Sequence, residues 1–63
     1  MNLEQAQRWS DVFRARRPLV RASTITPYGN ESSFLVEIVL PNGTVRVRSN
    51  AEAGAVNSTL AVV

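Results

Sequence analysis

The sequence lacks cysteine, histidine and lysine, and these absences exclude much of protein chemistry. Histidine is the commonest general base, cysteine a strong nucleophile, and lysine the residue that forms Schiff bases. Without cysteine or histidine the chain has no disulfide and no ligands for a structural zinc site. We therefore expect no enzyme activity, no catalytic residue, no metal or other cofactor, and no small-molecule substrate.

The length of 63 residues allows one small domain, and we expect a single α+β domain over residues 1–63. The 44% hydrophobic content is that of a folded chain rather than a disordered tail. A domain this short buries only about 60% of its unfolded surface, so its core is marginal. Because no disulfide or zinc can reinforce that core, we expect two copies to associate as a homodimer.

The sequence also has no long hydrophobic run. The most apolar segment, residues 34–40, contains Glu37 and is far shorter than the roughly 20 residues that a membrane span needs. The first residues are polar and do not resemble the apolar core of a secretory signal. These features predict a cytoplasmic protein with no membrane partner.

The chain begins with a helical pattern over residues 2–17. Asn2 is a suitable N-cap, and Pro18 ends the helix because the residue before a proline avoids the helical region. We expect Trp9 and Phe13 to enter the core, since they belong to a set of apolar side chains that recur on one broad face at helical spacing. These residues are Ala6, Trp9, Val12 and Phe13.

Three strands are expected next. Residues 19–26 are rich in β-branched types and predict a first strand, and residues 27–33 have the turn chemistry of a loop. Residues 34–40 and 44–49 alternate between apolar and polar types on either side of Asn42-Gly43, a strong hairpin signal.

The register of this hairpin has two interpretations. A two-residue Asn42-Gly43 loop pairs Glu37 with Arg48 and separates the charged side chains from the apolar ones, so we prefer it. Alternatively, Pro41-Asn42 is the centre of a type I turn followed by a bulge at Gly43, which places Arg46 beside Ile38.

A second helix is predicted over residues 50–58, because Ser49 and Glu52 have the spacing of a capping box. Residues 59–63 could continue this helix or form a short strand. The resulting order is α-β-β-β-α, with a small antiparallel sheet. This order is similar to that of the double-stranded-RNA-binding domain in topology only, since the second helix here opens with Asn50 to Ala53, which includes an acid where those domains carry basic residues.

All seven basic residues are arginines, and six of them fall in two short stretches. The first stretch suits phosphate binding, because guanidinium donates several hydrogen bonds to a phosphate. Cations at a helix C-terminus also stabilise the helix dipole, which explains the same residues without a ligand. The first stretch contains Arg14, Arg16, Arg17 and Arg21, and the second contains Arg46 and Arg48.

The second stretch alternates with valines, so Arg46 and Arg48 project from one face of the sheet. In the preferred register Leu35, Glu37 and Val39 share that face, and its two aliphatic side chains need a cover. A mixture of arginine and aliphatic side chains is typical of a protein interface. A solvated face with one Glu37–Arg48 pair is the simpler alternative.

Two functional hypotheses follow from these surfaces. The first is a small nucleic-acid-binding regulator that uses the clustered arginines, and this is the function that the sequence favours. The second is a protein-interaction module, such as an inhibitor or adaptor, which binds through the exposed sheet face or an edge strand.

Overall fold

The computed structural model describes residues 1–29 and 32–62 of the chain. The elements follow one another in the order α-β-β-β-α, so the predicted α+β class and element order are confirmed. They are α1 (Leu3–Arg14), β1 (Ala22–Pro27), β2 (Phe34–Leu40), β3 (Gly43–Val47) and α2 (Asn50–Ala61).

Helix α1 begins as predicted and ends earlier. The Asn2 side chain accepts from the Gln5 amide at 2.8 Å, and the Gln5 side chain accepts from the Asn2 amide at 3.0 Å. This reciprocal pair is a capping box. The helix ends at Arg14 rather than at residue 17. The hydrogen bonds there join residues three apart instead of four, since the Arg16 amide donates to the Phe13 carbonyl at 2.9 Å.

Strand β1 starts later than the predicted residue 19. Residues 15–19 form turns, and Val20 then enters the core before the strand begins at Ala22. The turns reverse the chain after α1, and this reversal uses the residues expected to open the strand. The strand extends to Pro27, which had been assigned to the following loop. Within that loop, residues 30 and 31 lie outside the described residues.

The sheet is antiparallel, with β2 between β1 and β3. The hairpin turn differs from the preferred interpretation, because Leu40 pairs with Gly43 across a two-residue Pro41-Asn42 loop. A tight Asn42-Gly43 turn of type I′ needs positive φ at both residues. Among the described residues only Gly29 and Gly43 have positive φ, and Gly43 has 146°. Pro41 suits the first loop position because its φ is fixed and it lacks an N–H.

Both registers considered for the hairpin are therefore wrong. The preferred one is displaced by two residues, so every side chain keeps its expected face while Glu37 lies opposite Arg46 rather than Arg48. The alternative has the right turn centre, but it wrongly placed Arg46 beside Ile38. The observed core-facing pairs are Val36 with Val47 and Ile38 with Val45.

Helix α2 is longer than predicted. Ser49 caps it by accepting from the Glu52 amide at 3.2 Å, as predicted, but the Glu52 carboxylate accepts from the Ser49 hydroxyl at 3.5 Å instead of completing a capping box. The helix continues to Ala61 and buries Leu60, so the described part of residues 59–63 is helical rather than extended. Residue 63 lies outside the described residues.

Both helices pack on the same face of the sheet. Phe13 of α1 is completely buried, and Trp9 stacks on it with a centroid separation of 5.9 Å. Trp9 also ties the two helices, because its indole N–H donates to the Asn50 side chain at 2.8 Å. The buried core comprises Ala6, Phe13, Val20, Val36, Ile38, Val47, Ala53 and Leu60.

Candidate binding surfaces

The sheet face opposite the helices, here called the open face, is the largest candidate surface. The strand register places alternate residues of all three strands on it. These residues are Ala22, Thr24, Thr26, Leu35, Glu37, Val39, Thr44, Arg46 and Arg48. Neither helix covers them, because α1 and α2 bury their apolar side chains against the other face.

The charged side chains of the open face lie close together. Arg46 Nε donates to Glu37 Oε2 at 2.9 Å, which replaces the predicted Glu37–Arg48 pair. Arg48 is exposed and makes no side-chain ion pair among the described residues. Glu37, Thr44, Arg46 and Arg48 together line a shallow depression. The open face therefore carries one more positive charge than negative charge.

The two aliphatic residues nominated for this face have different environments. Leu35 is only 7% exposed, so the expectation that it lacks a cover is wrong. Its partner on β1 is Thr26, whereas the partner of Val39 is the smaller Ala22. Val39 is 37% exposed and is accessible to a partner. The apolar contact area of the open face thus centres on Val39.

The β1 edge of the sheet is partly closed. The Ser23 carbonyl accepts from Arg14 Nη2 at 2.9 Å, and the Ser23 hydroxyl lies 2.9 Å from that of Ser10. Both serines are buried, and this link between α1 and β1 was not predicted. Further along the strand, Pro27 has no N–H to offer. An incoming strand could pair with Ile25, but Arg14 at the Ser23 carbonyl and the missing N–H of Pro27 would interrupt the ladder on either side.

The β3 edge is open. The residues that flank a two-residue loop form a hydrogen-bonded pair, so Gly43, Val45 and Val47 direct their backbone groups towards β2. The backbone N–H and C=O groups of Thr44 and Arg46 consequently point outwards. Within residues 1–29 and 32–62, no hydrogen bond engages these outward groups. They are ready to pair with another extended segment.

The arginines after α1 are not one free cluster. Arg14 bonds to Ser23 and lies 3.9 Å from Asp11, while Arg16 Nε donates to the Asn57 side chain at 2.9 Å. These contacts hold both side chains against the protein itself. Arg16 and Arg17 also border the C-terminal turn of α2, which has no basic residue of its own. This position suits the negative end of a helix dipole.

Arg17 and Arg21 are the exposed remainder of this cluster. No ion pair to either side chain occurs within the described residues. The sequence from residue 12 to residue 30 contains no acid, so these charges have no local counterpart. The structure thus separates the six nominated arginines into two places, the end of α1 and the open face.

Other kinds of site find no support in the described part of the chain. It contains no group of three or more acidic side chains that could hold a metal ion. Every buried side-chain polar atom there has a hydrogen-bond partner. No helix within it is long and apolar enough to cross a membrane.

Comparisons with protein families, with curated proteins and with solved structures find no match to this chain. The candidate surfaces therefore rest on the geometry of the molecule alone.

Proposed function

We propose that the chain is a small non-catalytic protein-interaction module that binds its partner through the open face and the adjoining β3 edge. The observation that carries this proposal is an uncovered sheet face beside an edge strand. The outward backbone groups of that strand, at Thr44 and Arg46, have no partner among the described residues. Exposed sheet edges are a recurrent means of recognising another polypeptide.

The composition of the open face favours a protein over a nucleic acid at this site. Threonine and arginine supply five of its nine residues, and arginine is enriched in protein interfaces. Glu37 lies in the central strand, where its carboxylate would repel a phosphate backbone. Of the four aromatic residues, Trp9, Phe13 and Phe34 belong to the core or pack against it, which leaves only the exposed Tyr28 to stack on a base.

Val39→Glu tests the proposal, with Val62→Glu as the matched control. Both positions are exposed, at 37% and 85%, so neither substitution disturbs the core. We expect C-terminally tagged Val39→Glu to lose the protein that the wild-type chain captures from its host, while Val62→Glu retains it. Equal capture by both variants, with circular dichroism showing that both are folded, would reject the open face.

Nucleic-acid binding is the second candidate, and the acid-free segment that presents Arg17 and Arg21 favours it. Phosphate contacts would make the affinity fall steeply as salt rises. Arg17→Gln/Arg21→Gln should then weaken binding to a DNA or RNA duplex more than Arg46→Gln/Arg48→Gln, which changes the net charge equally. Absence of binding at about 50 mM salt, where such contacts are strong, would reject this function.

Two further expectations stay predictions. Association into a homodimer is tested by sedimentation, which distinguishes one copy of 6.9 kDa from two. A cytoplasmic location is tested by fractionating host cells that express the C-terminally tagged chain.

A further inference from the structure

We infer that the partner contributes an extended acidic segment, which adds to the β3 edge as a fourth strand. This inference rests on the proposed function and specifies the chemistry of the partner. It combines two observations: the unpaired backbone groups of β3, and the row of arginine side chains beside them.

The backbone of β3 supplies the first part of the site. Thr44 and Arg46 alternate with residues that bond to β2, so each directs one N–H and one C=O away from the sheet. A strand placed about 4.8 Å away would engage these four groups in a ladder. At the opposite edge Arg14 occupies the Ser23 carbonyl and Pro27 lacks an N–H, so the corresponding ladder would be interrupted on both sides of Ile25.

Two side chains supply the second part: Arg46 of β3 and Arg48, which lies one residue beyond the end of the strand. Arg46 and Arg48 are two residues apart and line the same depression on the open face. Arg46 bonds to Glu37 through Nε, which leaves its terminal amino groups available. Side chains directly opposite on neighbouring strands lie about 5 Å apart, so acids spaced by two residues would pair with these guanidiniums.

The site also favours one type of side chain for the partner residue that lies between the two acids. It would project to the helix side of the sheet, next to Val45 and Val47. Val45 is partly buried and packs against the core, so an aliphatic residue of the partner would extend that contact. The segment that fits β3 therefore alternates acid, aliphatic, acid.

The same arginines disfavour a second copy of β3 at this edge. An antiparallel pair of β3 strands centred on Arg46 would place Arg46 against its own copy. A pair centred on Val47 would place Arg46 against Arg48, and a pair centred on Val45 would place Arg46 against Thr44, which carries no compensating charge. Like charges directly opposite destabilise a sheet, whereas acidic side chains on the partner would complement both arginines. Charge complementarity thus selects an acidic partner.

A synthetic peptide in which glutamate alternates with valine, capped at both ends, provides the probe. At about 0.15 M salt, where distant charges are screened, we expect it to slow hydrogen exchange at the Thr44 and Arg46 amides while leaving β1 unchanged. Arg46→Gln/Arg48→Gln should weaken binding roughly tenfold. Arg17→Gln/Arg21→Gln, with the same change of net charge, should alter it less than about twofold.

Two altered peptides separate strand addition from simple charge attraction. Lysine in place of glutamate should abolish binding, and N-methylation of two neighbouring central residues should do so without changing the charge. No binding of the glutamate peptide, or equal binding of either altered peptide, would overturn the inference. If capture of the natural partner still depends on Val39, only strand addition fails; if that dependence is absent as well, the proposed function fails too.

Discussion

The two edges of this sheet differ in what occupies their outward backbone groups. At β1, helix α1 places Arg14 on the Ser23 carbonyl and Ser10 on the Ser23 hydroxyl, and Pro27 removes a donor. At β3, the corresponding groups of Thr44 and Arg46 find no partner among the described residues. One edge strand is thus partly protected by its own helix, while the other offers an uninterrupted run of groups to a second polypeptide.

The two edges also differ in how they use arginine, the only cationic side chain in this sequence. Near α1 the guanidinium groups of Arg14 and Arg16 bond to other elements of the same chain, at the Ser23 carbonyl and the Asn57 side chain. Beside β3 the guanidinium of Arg48 faces solvent, and that of Arg46 is only partly engaged by Glu37. Clustering in the sequence therefore did not identify the free cations.

The largest effect is expected at Phe13, which anchors the helix that closes β1. Phe13 is fully buried, so Phe13→Ala removes its contacts and leaves a cavity, at a cost of about 3–5 kcal/mol. Such a loss leaves a domain of this size largely unfolded at 25 °C. Urea denaturation followed by circular dichroism measures it. Val39→Ala on the open face is the control and should cost much less; equal losses would contradict the observed burial.

A smaller loss is expected at the link between α1 and β1. Ser10→Ala removes the partner of the buried Ser23 hydroxyl and should lower the free energy of unfolding by about 1–3 kcal/mol. Removing both hydroxyls in Ser10→Ala/Ser23→Ala leaves neither group unsatisfied. The double variant should therefore lose less than the two single losses combined. Additive losses in denaturant titrations would show that the serines do not interact.

The hairpin that positions β3 can be tested at its glycine. Gly43 has a φ of 146°, which strains other residues, so Gly43→Ala should cost about 1–2 kcal/mol. Gly54→Ala is the matched control, because it lies inside α2 with open space around an added Cβ. It should stabilise the protein by about 0.5–1 kcal/mol. Thermal unfolding of both variants checks these opposite signs, and a stabilising Gly43→Ala would contradict the observed turn.

The smallest effect is expected at Arg14, and it concerns the closed edge itself. Arg14→Ala frees the Ser23 carbonyl and should cost about 1 kcal/mol, the usual value of such a hydrogen bond. Arg17→Ala, which removes an exposed guanidinium, should leave stability unchanged. Denaturant midpoints measured side by side compare the two. Equal stability of the two variants would mean that Arg14 does not hold the β1 edge.

Local patterns predicted much of this fold. The caps at Asn2 and Ser49 and the alternation in β2 depend on neighbouring residues, and the structure confirms each of them. The hairpin turn was predicted at the wrong residues because the Asn-Gly signal was given more weight than the fixed φ of Pro41. The faces of the strands were still predicted correctly, since a shift of two residues keeps each side chain on its face. The helix ends, the bounds of β1 and the turn were not predicted correctly, because they depend on the packed chain.

The candidate site was predicted less completely. Arg46, Arg48 and Val39 share the open face as expected, because strand alternation determines faces. Leu35 was wrongly expected to be uncovered, since its burial depends on its cross-strand neighbours. The bonds of Arg14 and Arg16 join residues from different elements, and no local pattern indicates such contacts.

Amide hydrogen exchange along β3 of the isolated chain is the most direct measure of whether this edge of the sheet is open. Val45 and Val47 direct their amides to β2, so we predict slow exchange at both. The amides of Thr44 and Arg46 point outwards and should exchange rapidly. Alternation of slow and fast exchange along the strand would support an open β3 edge. Slow exchange at all four amides would contradict it, because the edge would then already be occupied.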